Sequence, residues 1–337
     1  MNIDNKENDS NTNNEHTNTK PNLPNTTKDS INSISTKASS NYNSSSTMSN
    51  WNNSKKNSQN INNNTFNINF NDKEEYIKYN GEYINELYSN LLEEEKNLIA
   101  KPKYGYMEFQ KEINEKMRAI LVDWIIVVHD KFHLKSQTLY QAIWLIDTYL
   151  SLKYIKLNDF QLLGLGCLYI ACKFREIYYP QMKEWVEETA GAYKKEDLIR
   201  IEKDILKTTN YNLLPPSQDD FYNIIAKNYG FNKKQYYLGK YFMENSLMGY
   251  NMIKYTPSVI AVSCSYIVMK FFKIPNYRNL YSTRIIYEKC PQKIIKDSAR
   301  ELCFLVKNLY LSEFKAIKEK YSNEKYYKVA EYCSVDL

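Results

Sequence analysis

Residues Met117 to Phe174 constrain this chain more than any other stretch. They open with MRAILVDWIIVVHDKF and close with LLGLGCLYIACKF. From Leu121 to Val128 only Asp123 is polar, and from Leu162 to Phe174 only Lys173 is charged. Between them, Leu139, Ala142, Ile143, Ile146 and Leu150 recur at helical spacing. A helix that is apolar all round must be enclosed by other helices or keep part of its surface for a partner. The stretch therefore predicts an all-helical protein with a central buried helix and a face that meets something else.

Taken in order, the apolar periodicity predicts helices near 83–97, 114–132, 136–151, 158–174, 180–190 and 194–208. Ser136 and Asn158 are the expected N-caps of the second and third helices of the core. Gly164, Gly166, Cys167 and Ala171 make the 158–174 helix thin, which lets neighbours approach at some cost in helix propensity. Pro215-Pro216 breaks the chain, after which helices are expected near 217–229, 234–249, 256–273, 280–288, 291–310 and 312–320. Thr256-Pro257 is a strong start signal, with Pro at the first helical position. CLYIACKF at 167–174 and CSYIVMKF at 264–271 agree at five of eight positions, at an offset of 97. This repeat, with matching helix order, predicts two tandem five-helix domains, each around a central apolar helix.

Residues 1–75 are different material. Roughly half of this stretch is Asn and Ser, and apolar residues are sparse, a composition that cannot offset its chain entropy and predicts disorder. The expected organisation is a tail over 1–75, an N-terminal helix and link over 76–110, domains over 111–213 and 214–325, and a short tail over 326–337. Charge excludes little but is informative: 45 Lys plus Arg against 39 Asp plus Glu gives a net +6, less than a dedicated nucleic-acid binder carries. The six cysteines form no C-x-x-C pair, so no zinc or redox motif is readable, and several sit in apolar runs as small hydrophobes. No signal-peptide core and no run of about 18 apolar residues occurs, so the expectation is a soluble intracellular protein with no membrane partner. His129 and His133 stand four apart, a spacing that can hold a metal on one helix face, but no third ligand is visible. Gly164-x-Gly166 lies inside a helix and is no phosphate loop. No nucleophile–base pair is readable, so no catalytic residue, cofactor or metal is expected.

MRAILVDW at 117–124 resembles the opening of the cyclin box. KPKYGYM at 101–107, LIDTYLS at 145–151, QLLGLGCLYIACKFREIYYP at 161–180 and YKKEDLIRIEKDILKTTNYNLLPP at 193–216 are similar to their cyclin counterparts in order and spacing. YTPSVIA at 255–261 and KEKYSNEKY at 318–326 extend the resemblance to mitotic cyclins over roughly residues 83–330, and KPKYGYM leans towards the A type. The resemblance implies a regulatory subunit, with no catalysis of its own, that binds a cyclin-dependent protein kinase and shifts it towards its active conformation. It also implies nuclear and cytoplasmic residence. Within the tail, Lys6-Glu7-Asn8 matches the KEN degron read by the anaphase-promoting ubiquitin ligase.

Residue by residue, the resemblance implies that Lys173 and Glu202 hydrogen-bond backbone groups of the kinase, with Phe174, Leu206, Tyr211, Leu213 and Leu87 as apolar contacts. Met117, Ile120, Leu121 and Trp124, with Gln161, correspond to an exposed groove for R-x-L peptides of substrates and inhibitors; for any helix with this spacing the plain reading of these residues is core. Arg118 and Asp147 correspond to a structural ion pair. The chain departs from the pattern at Arg175, where mitotic cyclins carry Glu, and at Val127, where the family's acidic partner for the peptide arginine is missing. The first departure implies an altered rim charge. The second implies a groove that prefers arginine less. A different class of function, a TFIIB-like transcription scaffold, shares tandem cyclin folds, but it carries an N-terminal zinc ribbon, and this tail has no Cys.

Overall fold

The computed structural model describes residues 84–274 and 291–334. The described residues form helices α1 (Ile84–Asn97), α2 (Glu115–Lys131), α3 (Ser136–Leu152), α4 (Leu157–Arg175), α5 (Met182–Glu187), α6 (Lys195–Thr208), α7 (Gln218–Asn228), α8 (Lys233–Met248), α9 (Pro257–Phe271), α10 (Gln292–Tyr310) and α11 (Ala316–Tyr321). Short 3-10 turns punctuate the links. The all-helical tandem architecture is as the sequence predicted. The tail with Lys6-Glu7-Asn8 and the helix expected near 280–288 lie outside the described residues.

In the first domain α4 is the axis. Every residue from Leu162 to Cys172 is buried, because α2, α3 and α6 all pack on it. Its glycines explain how. A Cβ on Gly164 would come within 2.7 Å of Leu121 Cδ1, and one on Gly166 within 2.8 Å of Ile201 Cγ2. Those distances are too short for packed carbon atoms, so the missing side chains set how closely α2 and α6 approach. Trp185 of α5 is fully buried against Phe132 and Tyr169, and its indole N–H donates to the Pro180 carbonyl at 3.1 Å. In the second domain α9 is the axis, packed by α7, α8 and α10.

The helix starts depart from the sequence reading. Ser136 and Asn158 do not cap their helices, which begin after Lys135 and Lys156 without side-chain caps of their own. Remote carboxylates do the work instead. Glu176 accepts from the Lys135 amide at 2.6 Å and the Thr138 hydroxyl at 2.8 Å, closing α3. Glu112 accepts from the Leu157 amide at 2.9 Å, closing α4. Glu95, on α1, accepts from the Ser258 amide at 2.8 Å and hydroxyl at 2.6 Å, closing α9 after the predicted Thr256-Pro257 start. A carboxylate is favoured there because the first amides of a helix lack intrahelical acceptors and point the positive end of the helix dipole outwards.

The two domains are joined through buried polar groups. Arg118 donates to both carboxylate oxygens of Asp147, each at 2.6 Å, and both residues are almost fully buried. The ion pair inferred from the resemblance is present, and it reaches further than one domain: the third guanidinium nitrogen donates to the Leu247 carbonyl of α8 at 2.9 Å. Tyr106 adds a hydroxyl to Asp147 Oδ1 at 2.8 Å; burial, and then the carboxylate, push that phenol well above its ordinary range. With both oxygens of Asp147 occupied, the buried charges are compensated by fixed donors. On the far side of α2, α8 and α11 of the second domain pack against it, and Val122, Ile125 and Ile126 are buried. The apolar surplus of LVDWIIVV is therefore spent on the domain junction. Asp123, the one polar residue of that run, accepts from the Ala316 amide at 3.3 Å, at the start of α11.

Candidate functional site

The residues implied in kinase binding come from the last turn of α4, from α6 and from the loop after it. Lys173 is half-buried in the last turn of α4, with its Nζ 4.4 Å above the Tyr169 ring, and it forms an ion pair with Glu202 of α6. The sequence reading required another protein to supply the partner of Lys173; the structure supplies it within the chain. Cation, aromatic face and carboxylate thus form one stack that remains partly open to solvent. Gly166 makes this possible, since it lets α6 lie close enough to α4 for Glu202 to reach Lys173.

One turn beyond Glu202, Leu206 is half-buried against the core. The chain then leaves α6 through Asn210 and Tyr211, both in left-handed backbone conformation (φ 49° and 57°), and the Tyr211 amide closes the helix on the Leu206 carbonyl at 2.9 Å. A tyrosine in that conformation carries strain that the helix-closing bond offsets. Its ring is 65% exposed. Leu213 is half-buried, and its carbonyl accepts from Gln141 Nε2 at 2.7 Å. Gln141 in turn accepts from Arg175 Nε at 2.7 Å. Arg175 is therefore a strut between α3, the end of α4 and the post-α6 loop, rather than only a free charge at a rim.

Phe174, beside Lys173 in the chain, is 48% exposed. Ile177, Tyr178 and Tyr179 follow it and are exposed too. These three follow the site in the chain, and sequence reasoning missed them; an apolar run, IYY, without helical periodicity was the available signal. Exposed apolar side chains in the chain segment next to a partly desolvated ion pair are the chemistry of a protein-binding surface. Leu87 is not drawn into this cluster by any contact of its own helix. It is exposed on α1, which is anchored to the second domain by Tyr88 against Phe221 at 5.4 Å and by Glu95 at the start of α9.

The expected peptide groove is mostly core. Met117, Leu121 and Trp124 are buried, Leu121 seated over Gly164. Ile120, Gln161 and Val127 are half-buried and form what reaches the surface. The histidine pair does not share a helix face. His129 is on α2, but His133 lies beyond its end with φ 51°. His129 is fully enclosed, with Nε2 2.9 Å from the Lys135 carbonyl; burial, and then the nearby Lys320, lower its pKa to about 4. Among the described residues no cluster of His, Cys, Asp and Glu could hold a metal.

Comparison with known proteins decides the family. The model of the cyclin N-terminal domain matches residues 86–214, and that of the cyclin C-terminal domain matches residues 216–334. The chain belongs to the cyclin family. Its relatives are mitotic: it is 34% identical over 251 residues to a G2/mitotic-specific cyclin-B of Dictyostelium discoideum, covering 74% of this chain and 57% of that one. It is 34% identical over 249 residues to the G2/mitotic-specific cyclin-B of Hydra vulgaris, covering 74% and 67%. The match thus leaves a third or more of these relatives' length unaligned. These relatives are B-type, so the lean towards the A type read from KPKYGYM finds no support. Among solved structures, the cyclin resembles a viral cyclin from herpesvirus saimiri with a TM-score of 0.54 at 20% identity, covering 64% of this chain and 97% of that one. It also resembles a chain of the yeast RNA polymerase II CTD kinase complex, with a TM-score of 0.50 at 14% identity, covering 68% and 73%. At these identities the likeness is one of fold.

Proposed function

We propose that this cyclin is the regulatory subunit of a cyclin-dependent protein Ser/Thr kinase in cell-cycle control. The observation that carries the reading is the Lys173–Glu202 pair, half-open at the end of the central helix of the first domain and flanked by exposed Phe174 and Tyr211. A kinase backbone that offers a carbonyl to Lys173 and an amide to Glu202 would complete the hydrogen bonding of both groups as the surrounding apolar side chains exclude water. Leu206 and Leu213 would form the half-buried floor of that contact, and Leu87 an outlying one on α1. Activation then follows from differential binding, since a cyclin that holds the active kinase conformation more tightly shifts the population towards it.

The test is a reconstituted phosphorylation assay with the full chain and candidate cyclin-dependent kinase subunits. Activation should appear with the wild type and fall at least tenfold with Lys173→Glu or Glu202→Lys, while circular dichroism shows both variants folded. Full activation by either folded variant would refute the site.

The same reading gives the cyclin a substrate-docking surface on Ile120 and Gln161, with Met117, Leu121 and Trp124 as its floor. Val127 supports a weaker preference for a peptide arginine, because an apolar side chain offers a guanidinium no acceptor. In a competition assay, replacing the arginine of an R-x-L peptide by Ala should change affinity less than threefold; a tenfold loss would overturn this. Lys6-Glu7-Asn8 is proposed as a signal for the anaphase-promoting ubiquitin ligase, and the nucleus and cytoplasm as the places of action. Both rest on the family resemblance and are testable by cell-cycle chase of an Asn-substituted tail and by fractionation.

A further inference from the structure

The second domain has a face equivalent to the Lys173–Glu202 site, and it is built with the opposite electrostatics. α9 ends on Lys270-Phe271, α4 carries Lys173-Phe174 just before its last residue Arg175, and α10 packs along α9 as α6 packs along α4. At the offset of 97, Glu202 corresponds to Ala299, which is buried. Lys270 accordingly has no acidic partner among the described residues. In place of an ion pair there is a groove of about 810 Å³ between the two helices.

Among the described residues four cations line that groove, Lys270, Lys296, Arg300 and Lys307, and none that lines it is acidic. Arg300 is tied at 2.8 Å to Asp297, on the outer side of α10, and its side chain is 75% exposed. Lys296, Arg300 and Lys307 stand at i, i+4 and i+11, so they form one stripe about 16 Å long at 1.5 Å per residue. An extended peptide covers that length with about five residues. The floor is apolar, with Ile267 and Ala299 buried and Phe271 half-buried. Phe304, at the edge, is 69% exposed, more than Phe174 on the first domain.

We propose that this groove docks an acidic segment of a partner protein: about five extended residues carrying Asp or Glu, with an apolar side chain set on the floor. Three of the four cations are lysines, two of them spaced with Arg300 along the stripe and Lys270 set across the groove on α9, rather than gathered on one point. That arrangement suits carboxylates distributed along a strand better than a single phosphate, which is best gripped by converging arginine forks. The apolar floor and Phe304 give a peptide side chain a place that a phosphodiester backbone cannot use. The site lies on the second domain and does not depend on the kinase-binding reading of the first.

The experiment is fluorescence anisotropy with the full chain and a fluorescein-labelled Glu-Glu-Phe-Glu-Glu peptide. The peptide should bind, with affinity falling as salt is raised. Binding should weaken at least tenfold in the double variant Lys296→Glu/Arg300→Glu, at least threefold in Lys270→Gln, and at least tenfold when the peptide is replaced by Gln-Gln-Phe-Gln-Gln. Lys173→Glu should leave it unchanged. Circular dichroism confirms folding of each variant, and Lys270→Gln, a single neutralisation at an exposed position, serves if the double variant fails to fold. Equal affinity for the variants or for the Gln peptide would overturn the proposal, as would loss of binding in Lys173→Glu. Displacement of the peptide by a ten-nucleotide oligothymidylate at lower concentration than by unlabelled peptide would overturn the protein partner in favour of nucleic acid.

Discussion

The two domains use the same devices with different chemistry. Each pins its first two helices with one buried ion pair: Arg118 on α2 with Asp147 on α3, and Asp219 on α7 with Lys240 on α8. The polarity is reversed, and so is the reach. The planar guanidinium satisfies Asp147 with two bonds and still has a donor for the Leu247 carbonyl across the junction. The ammonium of Lys240 meets Asp219 as a point charge, with Nζ 5.5 Å from the centre of the Tyr140 ring. Each domain also closes its central helix with a remote glutamate, exposed Glu112 for α4 and half-buried Glu95 for α9. The divergence comes at the other end. Lys173 is neutralised inside the chain by Glu202, whereas Lys270 opens onto a basic groove. A repeat can therefore keep its packing while its exposed end is rebuilt for a different partner, because the apolar axis carries the stability and the last turn does not.

The largest expected effect breaks the first parallel. Asp147→Ala leaves a buried guanidinium facing a cavity and should cost about 3–5 kcal/mol in chemical denaturation. Asp219→Ala should cost less, because a lysine left alone can lose its proton where an arginine cannot. Equal losses would remove the distinction between the two pairs. Next, Lys173→Glu should reduce kinase activation at least tenfold and Lys270→Glu should leave it within twofold. A comparable loss in both would mean that the two helix ends serve one interface.

Acid–base behaviour sharpens the junction between the domains. Burial, with Glu319 adding to it, raises the Asp123 carboxyl to a pKa of about 6, against the bond from the Ala316 amide. A carboxyl whose pKa is raised on folding binds its proton more tightly in the native state, so it favours folding below about pH 4 and loses that contribution as pH rises through about 6. Asp123→Asn should therefore raise stability at pH 7.5 by on the order of 1–3 kcal/mol and change little at pH 4. His129 acts with the opposite sign. Its folded pKa of about 4 lies below the ordinary value of 6.5, so its neutral form supports folding above about pH 6.5 and that support is lost as pH falls towards 4. A denaturation series from pH 4 to 8 on wild type and Asp123→Asn measures both. The smallest effect separates the remote caps: Glu95→Ala should lower stability by about 1–2 kcal/mol, and Glu112→Ala by less, since water reaches the start of α4 when its cap is lost. A larger loss for Glu112→Ala would reverse the ranking.

Much of this was legible in the sequence because it depends on local pattern. Helical periodicity placed the described helices to within a few residues, since apolar spacing reports which face is enclosed. The glycines of α4 signalled close packing before Leu121 and Ile201 could be seen against them. Lys173, Glu202, Arg118 and Asp147 were named from resemblance alone, because motif residues keep their order along a chain. What periodicity could not show was which apolar face meets which neighbour. LVDWIIVV looked like surface to spare until α8 and α11 were found on it. The caps of α3, α4 and α9 come from glutamates 41, 45 and 163 residues away, beyond any local capping rule. Arg175 read as a changed rim charge and is a strut to Gln141, since a side chain's role depends on what stands opposite it. The sequence by itself determined that two apolar helices must each be wrapped by others, because burial of apolar surface follows composition and period. Only the tertiary structure decided where the charges go, because an ion pair, a remote cap or an open basic groove depends on which distant residue arrives within about 3 Å.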